Sequence, residues 1–221
     1  MADQLDADEA GKSVKDVRTR NPDATRKRIL KAAKDEFAKR GLAGARIDTI
    51  AEKAKANKGM IYHYFGGKED LFRVILEEAY SDIRGAERKL DLDKVDPETA
   101  MRKLVEFTWN YYLANPEFLT LVNSENLHRG KHIAESQVIK EMHRPFLGFV
   151  QSILDRGVEA GVFRAGVDPV QLNITIAAIG YYYFTNRYTG SVIYERDLMS
   201  KDMLAARLAF NVDTILRLLR K

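Results

Sequence analysis

The chain has 221 residues, enough for one large domain or two modest ones with a sizeable core. It contains no cysteine, which excludes disulfides and thiolate metal sites. The acidic start, residues 1–10, lacks the apolar run of a signal peptide, and no stretch reaches the roughly 18 apolar residues of a membrane-spanning helix. We therefore expect a soluble, cytoplasmic protein without a membrane partner.

The net charge of +4 conceals an uneven distribution along the chain. Residues 12–68 hold 16 Lys and Arg against six Asp and Glu, whereas residues 69–221 hold 20 against 22. An excess of cations neutralises phosphates, so this pattern favours nucleic-acid binding by the first third of the chain. A basic face that is merely solvated is the alternative interpretation.

Residues 1–22 are predicted to be a disordered tail, because their hydrophobicity is low and they show no apolar period. Arg18 and Arg20 in this tail could reach a phosphate or the minor groove, although a tail without a DNA contact is the simpler interpretation. A first helix is predicted from about residue 24 to residue 40 and a second from about residue 46 to residue 54, on the basis of their apolar spacing.

The stretch that follows the second helix is short and unusually aromatic. Asn57 can cap a helix there, and two glycines can end it about two turns later. Ile61 and Phe65 share one face of this third helix, whereas Lys58 and Tyr62 share another. Two short helices joined by a three- to four-residue turn form a helix-turn-helix unit, whose second helix can enter a DNA major groove.

Several separate signals fall in order between residue 24 and about residue 75. They are Thr25-Arg26-Lys27-Arg28-Ile29-Leu30-Lys31-Ala32-Ala33, then Phe37-Ala38-Lys39-Arg40-Gly41, then Ile50-Ala51, then Lys58-Gly59-Met60-Ile61-Tyr62-His63-Tyr64-Phe65 with Lys68-Glu69-Asp70-Leu71. Together they resemble the DNA-binding domain of the TetR family of bacterial transcriptional regulators. The resemblance implies an all-α fold of about nine helices, with a three-helix helix-turn-helix DNA-binding domain over residues 23–67 and a larger helical effector-binding and dimerisation domain over residues 68–221.

The same resemblance implies DNA contacts in the second and third helices and at the start of the fourth. The matching positions are Arg46, Asn57, Lys58, Gly59, Met60, Tyr62, His63, Tyr64 and Lys68. Two of them depart from the family pattern. Arg46 stands where a Ser or Thr commonly caps the second helix; it can still touch a phosphate but cannot cap. Met60 replaces a common Thr and offers an apolar contact instead, for example to a thymine methyl group.

A long fourth helix, from residue 68 to about residue 89, can link the DNA-binding unit to the rest of the chain. Asp96-Pro97 and Asp168-Pro169 mark later helix starts. The remaining helices are predicted over about 97–115, 117–127, 133–160 with a kink at Pro145, 168–189 and 200–220.

The last two predicted helices are the longest apolar ones, and they could simply cover the core of one domain. In the TetR family such helices commonly pair with their copies in a dimer. Dimerisation also has a physical motive, since two recognition helices can read two half-sites in successive major grooves. We therefore expect a homodimer on a palindromic, double-stranded DNA operator.

The middle helices supply aromatic and polar side chains suited to a pocket, which is where the family places a small-molecule effector. The candidate ligand-binding residues are Phe107, Trp109, Tyr111, Asn126, His143, Phe146 and Tyr182. An aromatic stripe at helical spacing is more commonly plain core, and that alternative stays open for each of them.

Glu125, His128 and His132 lie at metal-ligand spacing, but Arg129-Gly130-Lys131 interrupts the helix and adds positive charge. We therefore expect neither a metal site nor a cofactor. The sequence also lacks a phosphate-binding glycine loop and a nucleophile elbow, so we do not expect an enzyme.

The function predicted from the sequence is DNA-binding transcriptional regulation, by a homodimeric repressor that a small-molecule effector releases from its operator. An architectural or partner-binding DNA protein without such an effector is the alternative.

Overall fold

The computed structural model describes residues 22–221, so the predicted disordered tail lies outside the described residues apart from Pro22, as do Arg18 and Arg20. Within that range the chain forms eleven α-helices, one turn of 3-10 helix and no β-sheet. The helices are α1 Pro22–Gly44, α2 Ile47–Ala54, α3 Lys58–Phe65, α4 Lys68–Arg88, α5 Pro97–Ala114, α6 Pro116–Leu127, α7 Lys131–Glu135, α8 Gln137–Glu159, α9 Pro169–Thr185, α10 Arg187–Ile193 and α11 Lys201–Leu219, with the 3-10 turn at Leu92–Lys94. None of these helices is long and apolar enough to cross a membrane.

The predicted all-α fold class is confirmed, and the two additional helices arise from two local breaks. The predicted helix over 133–160 is divided at Ser136, whose Oγ accepts a hydrogen bond from the Ile139 N–H and caps α8. Pro145 lies inside α8 without ending it. A second break at Asn186 separates α10 from α9.

The three N-terminal helices pack around a shared apolar core. Phe37 of α1, Ile50 of α2 and Ile61 of α3 are each fully buried. Gly41 adopts φ 64° and ψ 177°, which ends the regular part of α1 as its sequence predicts. The bend lets the Leu42 N–H donate to Ser124 Oγ at 2.9 Å, so the end of α1 is tied directly to α6.

The helix α4 connects this unit to the other helices. Its 21 residues span about 30 Å at the rise of an α-helix. Leu71 and Phe72 near its start and Ile83 near its end are buried in one continuous cluster. This cluster holds the core of α1–α3 and also buried residues of α5, α6 and α9. A second buried cluster, built on α5, α8, α9 and α11, fills the far part of the larger domain.

Gly157 and Gly148 lie on the same helix, α8, and offer a matched test of this packing. A Cβ atom on Gly157 would lie 1.9 Å from Phe163 Cδ2, whereas one on Gly148 would meet nothing within 4 Å. We predict that Gly157→Ala lowers the free energy of unfolding by about 2 kcal/mol or more, because the buried Phe163 ring must move. We predict that Gly148→Ala raises it by about 0.5–1 kcal/mol, because alanine favours the helix. Urea denaturation of both variants measures the difference, and equal stabilities would contradict the packing of α8 on Phe163.

Candidate DNA interface and central cavity

The short helix α3 is fixed at both ends and along one side. Asn57 Oδ1 accepts a hydrogen bond from the Met60 N–H at 2.8 Å, which caps the N-terminus of the helix. At the other end the Gly66 N–H donates to the Tyr62 carbonyl at 2.9 Å. Ile61 and Phe65 are buried, as the sequence predicts. An eight-residue helix is marginal alone, so these contacts hold it in place and leave its other faces to solvent.

The exposed face of α3 presents Lys58, Tyr62 and His63. Tyr62 is 52% exposed, an unusual position for so large an aromatic side chain. Gly59 is exposed beside them, and a Cβ atom there would lie 3.3 Å from Asn57 Oδ1, so a glycine leaves the capping group unobstructed. A cation, a phenol and an imidazole on one small surface can bind phosphates and base edges.

Two other predicted contact residues of α3 are only partly available. Met60 and Tyr64 are half-buried and pack against the core that also holds Ile61. The rings of His63 and Tyr64 meet edge to face with centroids 5.3 Å apart. Met60 and Tyr64 therefore contribute to the packing of the helix as well as to its solvent-facing surface.

Two of the three predicted DNA-contacting cations, Lys58 and Lys68, have partners within the protein. Lys58 forms an ion pair with Asp48 of α2. Lys68, the first residue of α4, donates from Nζ to the Ala43 carbonyl at 3.3 Å. Arg46 precedes α2 in an extended conformation and makes no side-chain capping bond within the described chain, in agreement with the expectation that it cannot cap. Both lysine contacts are exposed and can be exchanged for phosphates at little cost.

Part of the N-terminal cation excess stabilises the fold rather than facing a ligand. Glu36 is buried and pairs with Lys53 at 2.8 Å and with Arg40 at 3.3 Å. The hydrogen bond from Lys53 holds the pKa of the Glu36 carboxyl below its ordinary value. Arg28 Nε donates to the Ala54 carbonyl at the end of α2, at 3.1 Å. Counting charges along the sequence could not separate these structural cations from the exposed ones.

A cavity of about 510 Å³, which we call the central cavity, lies where α4, α5, α6, α8 and α9 meet. Its lining residues are Tyr80, Ile83, Arg84, Glu87, Thr108, Tyr112, Phe118, Val122, Asn126, His143, Asn173, Ile174, Ala177, Ala178 and Tyr181. A volume of several hundred Å³, lined by aromatic groups and a few polar ones, is typical of small-molecule sites.

The structure brings some of the predicted ligand-binding residues to this region. Asn126 and His143 line the central cavity. Phe146 lines an adjoining cavity of about 300 Å³, which shares Arg84 and Glu87 with the central one. Burial and the nearby Arg84 charge lower the pKa of His143, so its imidazole is neutral at neutral pH.

The other predicted ligand-binding residues lie elsewhere. Trp109 is buried against the ring of Phe184, with centroids 4.5 Å apart, and Phe107 packs on Tyr111 with centroids 5.8 Å apart. Tyr182 is 62% exposed on the outer side of α9. Phe107, Trp109, Tyr111 and Tyr182 line neither of these two cavities. Trp109 is an ordinary residue of the hydrophobic core.

Arg84 and Glu87 are cavity residues that the sequence reasoning missed. Arg84 Nη2 donates to Glu87 Oε1 at 3.0 Å, and the two residues are only 9% and 5% exposed. Burial raises the pKa of Glu87 to about 7, against the opposing effect of the Arg84 charge. A signal was present in the sequence, because Glu87 continues the buried stripe of Phe72, Leu76 and Ile83 at helical spacing.

The histidine-rich segment has a structural explanation. Glu125 is buried and accepts hydrogen bonds from the backbone N–H groups of His132 and Ile133 at 2.7 and 3.0 Å. Its second oxygen lies 2.6 Å from His132 Nδ1, and the His132 ring packs edge-on against Phe72 of α4. Within residues 22–221 no group of three His, Cys, Asp or Glu side chains is placed to hold a metal ion. The spacing of Glu125 and His132 thus serves the connection of α6 to α7.

A helix-turn-helix unit with an exposed basic and aromatic helix, joined by one long helix to a larger helical domain with a cavity, defines a DNA-binding regulatory protein. Comparisons with known proteins agree with this class. The family described as bacterial regulatory proteins, tetR family, matches residues 29–75, and the one described as tetracyclin repressor-like, C-terminal domain, matches residues 97–215. The chain therefore belongs to the TetR family and is a DNA-binding transcriptional regulator.

Individual relatives extend the match along the chain. It is 42% identical over 205 residues to the HTH-type transcriptional repressor NicS of Pseudomonas putida, covering 93% of this chain and 97% of NicS. It is 34% identical over 160 residues to the HTH-type transcriptional repressor SCO4008 of Streptomyces coelicolor, covering 72% of this chain and 78% of that one. A crystal structure of FadR from Bacillus subtilis in complex with stearoyl-CoA shares the fold, with a TM-score of 0.64 at 18% identity over 86% of this chain and 97% of FadR.

The buried carboxyl of Glu87 predicts a specific dependence of stability on pH. Its pKa rises from an ordinary 4.5 in the unfolded chain to about 7 in the folded protein. Between these pH values the folded protein holds a proton on Glu87 that the unfolded chain has released, and the resulting stabilisation is lost as the pH rises through 7. We predict that the free energy of unfolding of the wild type falls by about 2–3 kcal/mol relative to Glu87→Gln between pH 5 and pH 8.

Glutamine keeps the size of the side chain and an acceptor for Arg84 but does not titrate. The other charged or titratable groups near Glu87 include Arg84 and Arg88 of α4, Tyr111 and Tyr112 of α5, His143 of α8, and Asp91 and Asp93 after α4. All of them are present in both proteins, so their contributions cancel in the difference. Parallel pH profiles from urea denaturation would contradict the buried, protonated state of Glu87.

Proposed function

We propose that the protein is a homodimeric repressor that binds a palindromic operator through α3 and is released when a small-molecule effector occupies the central cavity. The observation that carries this proposal is that α4 begins directly after α3 and its last turns form part of the cavity wall. NicS and SCO4008 are both named as transcriptional repressors, which supports repression rather than activation. The stearoyl-CoA complex of FadR supports the binding of a small molecule by this fold.

The proposed DNA contacts divide into two kinds. Lys58, Tyr62 and His63 project from the exposed face of α3 and are the candidates for base edges and nearby phosphates, with Gly59, Met60 and Tyr64 beside them. Arg46 and Lys68 flank α3 and are candidates for phosphate contacts, as is the cap at Asn57. Backbone N–H groups at the start of a helix have no acceptor within that helix, so those at the start of α4 favour a phosphate next to Lys68.

Two helices can transmit occupancy of the cavity to the DNA-binding unit. The first is α4 itself. The second is α6, which presents Phe118, Val122 and Asn126 to the cavity while Ser124 accepts the hydrogen bond from the end of α1. An effector that binds better to a state in which these helices are displaced increases the population of that state. In the displaced state the two recognition helices of the dimer are no longer spaced to enter adjacent major grooves.

The proposed dimer interface lies on α9, α10 and α11. This surface carries a concentration of exposed apolar side chains, which is uncommon on a monomer and marks interaction sites. They are Tyr182, Tyr188, Val192, Ile193, Tyr194 and Phe210. Association of two such surfaces buries them and places two copies of α3 on one DNA duplex.

Substitutions on α3 and α4 test DNA binding. We predict that Lys58→Ala, Tyr62→Ala and Lys68→Ala each weaken binding to a selected operator by about 5- to 100-fold. The two lysine variants should also reduce the slope of log affinity against log salt by about one, whereas Tyr62→Ala should not, because it removes no charge. Gel-shift titrations at several salt concentrations measure both quantities.

Lys94→Ala is the matched control, because Lys94 is an exposed, ion-paired lysine in the 3-10 turn beyond the far end of α4. It should bind as the wild type does. Undiminished binding by all three variants would overturn the assignment of α3 as the recognition helix.

A second experiment tests the dimer. Sedimentation equilibrium of the wild type should give about twice the chain mass of 25.2 kDa. We predict that Ile193→Arg or Phe210→Arg shifts the protein to monomers at micromolar concentration, because a buried unpaired charge is costly at an interface. Val158→Arg replaces an exposed apolar residue of α8 outside this surface and should remain dimeric. A monomeric wild type, or dimers in all variants, would contradict the proposed interface.

A further inference from the structure

Arg84 lies in the wall of the central cavity and of the adjoining one, and its hydrogen bonding is incomplete. Its Nη2 donates to Glu87 Oε1, but Nε and Nη1 have no hydrogen-bond partner within residues 22–221. The second oxygen of Glu87 is likewise buried without a partner among those residues. The guanidinium carbon stands 4.0 Å from the ring centroid of Phe146, which covers one face of the cation.

This arrangement is unfavourable for the chain alone. A buried cation with unused donors loses the hydrogen bonds that water would give it, and burial accordingly lowers the pKa of Arg84. Glu87 balances the charge poorly, since its own pKa is raised to about 7 and its carboxyl is protonated for part of the time at neutral pH. In a protein core that binds nothing, two apolar residues are commonly as stable as a buried ion pair. A buried, incompletely paired ion pair is therefore more typical of a ligand-binding site.

We propose that the central cavity binds a small organic acid whose carboxylate pairs with Arg84. This inference rests on the proposed role of the cavity as the effector site and specifies the class of effector. A carboxylate supplies acceptors in the paired arrangement that a guanidinium favours, and it contributes the negative charge that a protonated Glu87 does not.

The rest of the cavity fits the remainder of such a molecule. Tyr112 and Phe118 offer aromatic surface for an apolar body and are stacked with ring centroids 6.0 Å apart. Asn126 and Asn173 add amide groups that can orient a polar substituent. The neutral imidazole of His143 adds no charge that would compete with Arg84 for the carboxylate.

Pairs of acids and amides test the proposal, because an amide keeps the shape of the acid and removes its charge. The probes are benzoate, phenylacetate and hexanoate, each paired with its primary amide, titrated by calorimetry into the full-length protein at pH 6.5, where Glu87 is mostly protonated and the acids are ionised. We expect at least one acid to bind the wild type about 30-fold or more tightly than its amide, as loss of a charged, bidentate hydrogen bond implies. The bound acid should also raise the melting temperature by mass action.

Three variants locate the charge that recognises the acid. Arg84→Met should reduce the preference for acid over amide to about threefold or less. Should that variant be unstable because Glu87 is left unpaired, Arg84→Met combined with Glu87→Gln removes both groups together and keeps the site neutral. Arg88→Gln removes an exposed arginine one turn further along α4, which lines the adjoining cavity only, and it should keep the full preference.

Three results would overturn the proposal. They are equal affinity of the wild type for acids and amides, no measurable binding of any acid to the wild type, and an unchanged preference for the acid in both Arg84 variants. Operator binding by the wild type without added probe is measured in parallel and tests the repressor function separately. If an amide binds as tightly as its acid and releases the operator, the effector function stands and only the carboxylate inference fails.

Discussion

The continuity of α4 is the constraint on which the other features depend. At its start, Leu71 and Phe72 are buried in the core of the DNA-binding unit, and at its end Arg84 and Glu87 form part of the cavity wall. A hydrogen-bonded helix of about 30 Å is stiff, so a displacement at one end reaches the other end as a rigid movement. We propose that this continuity couples the cavity to the exposed face of α3, although no residue of α3 lines the cavity.

A second set of contacts limits how α4 can move. The Ser124 hydroxyl ties α6 to the bend after Gly41, and buried Glu125 of the same helix holds α7 through His132, whose ring rests on Phe72. Lys131 of α7 also pairs with Glu69 in the first turn of α4 at 2.5 Å. Because packed interfaces change between discrete arrangements rather than deform continuously, we propose that α4, α6 and α7 move together as one unit.

Local signals in the sequence predicted most of the fold, because helix starts and ends are decided by neighbouring residues. Asn57 caps α3, and Asp96 and Asp168 cap α5 and α9, each where its sequence indicated. The candidate sites were less predictable, since they depend on contacts between distant residues. Nothing near Lys58 in the chain shows that Asp48 pairs with it, and a helical period cannot tell Trp109, which packs in the core, from Asn126, which reaches the cavity.

Selection of bound fragments from a random DNA pool, with the purified full-length protein, tests the central claim most directly. We expect enrichment of a palindrome whose half-sites are separated by about one or two helical turns, as two copies of α3 on one face of the duplex require. Substitution of the exposed residues of α3 should abolish that enrichment. An enriched single half-site would contradict the dimeric arrangement, and no enriched sequence at all would contradict specific DNA recognition by α3.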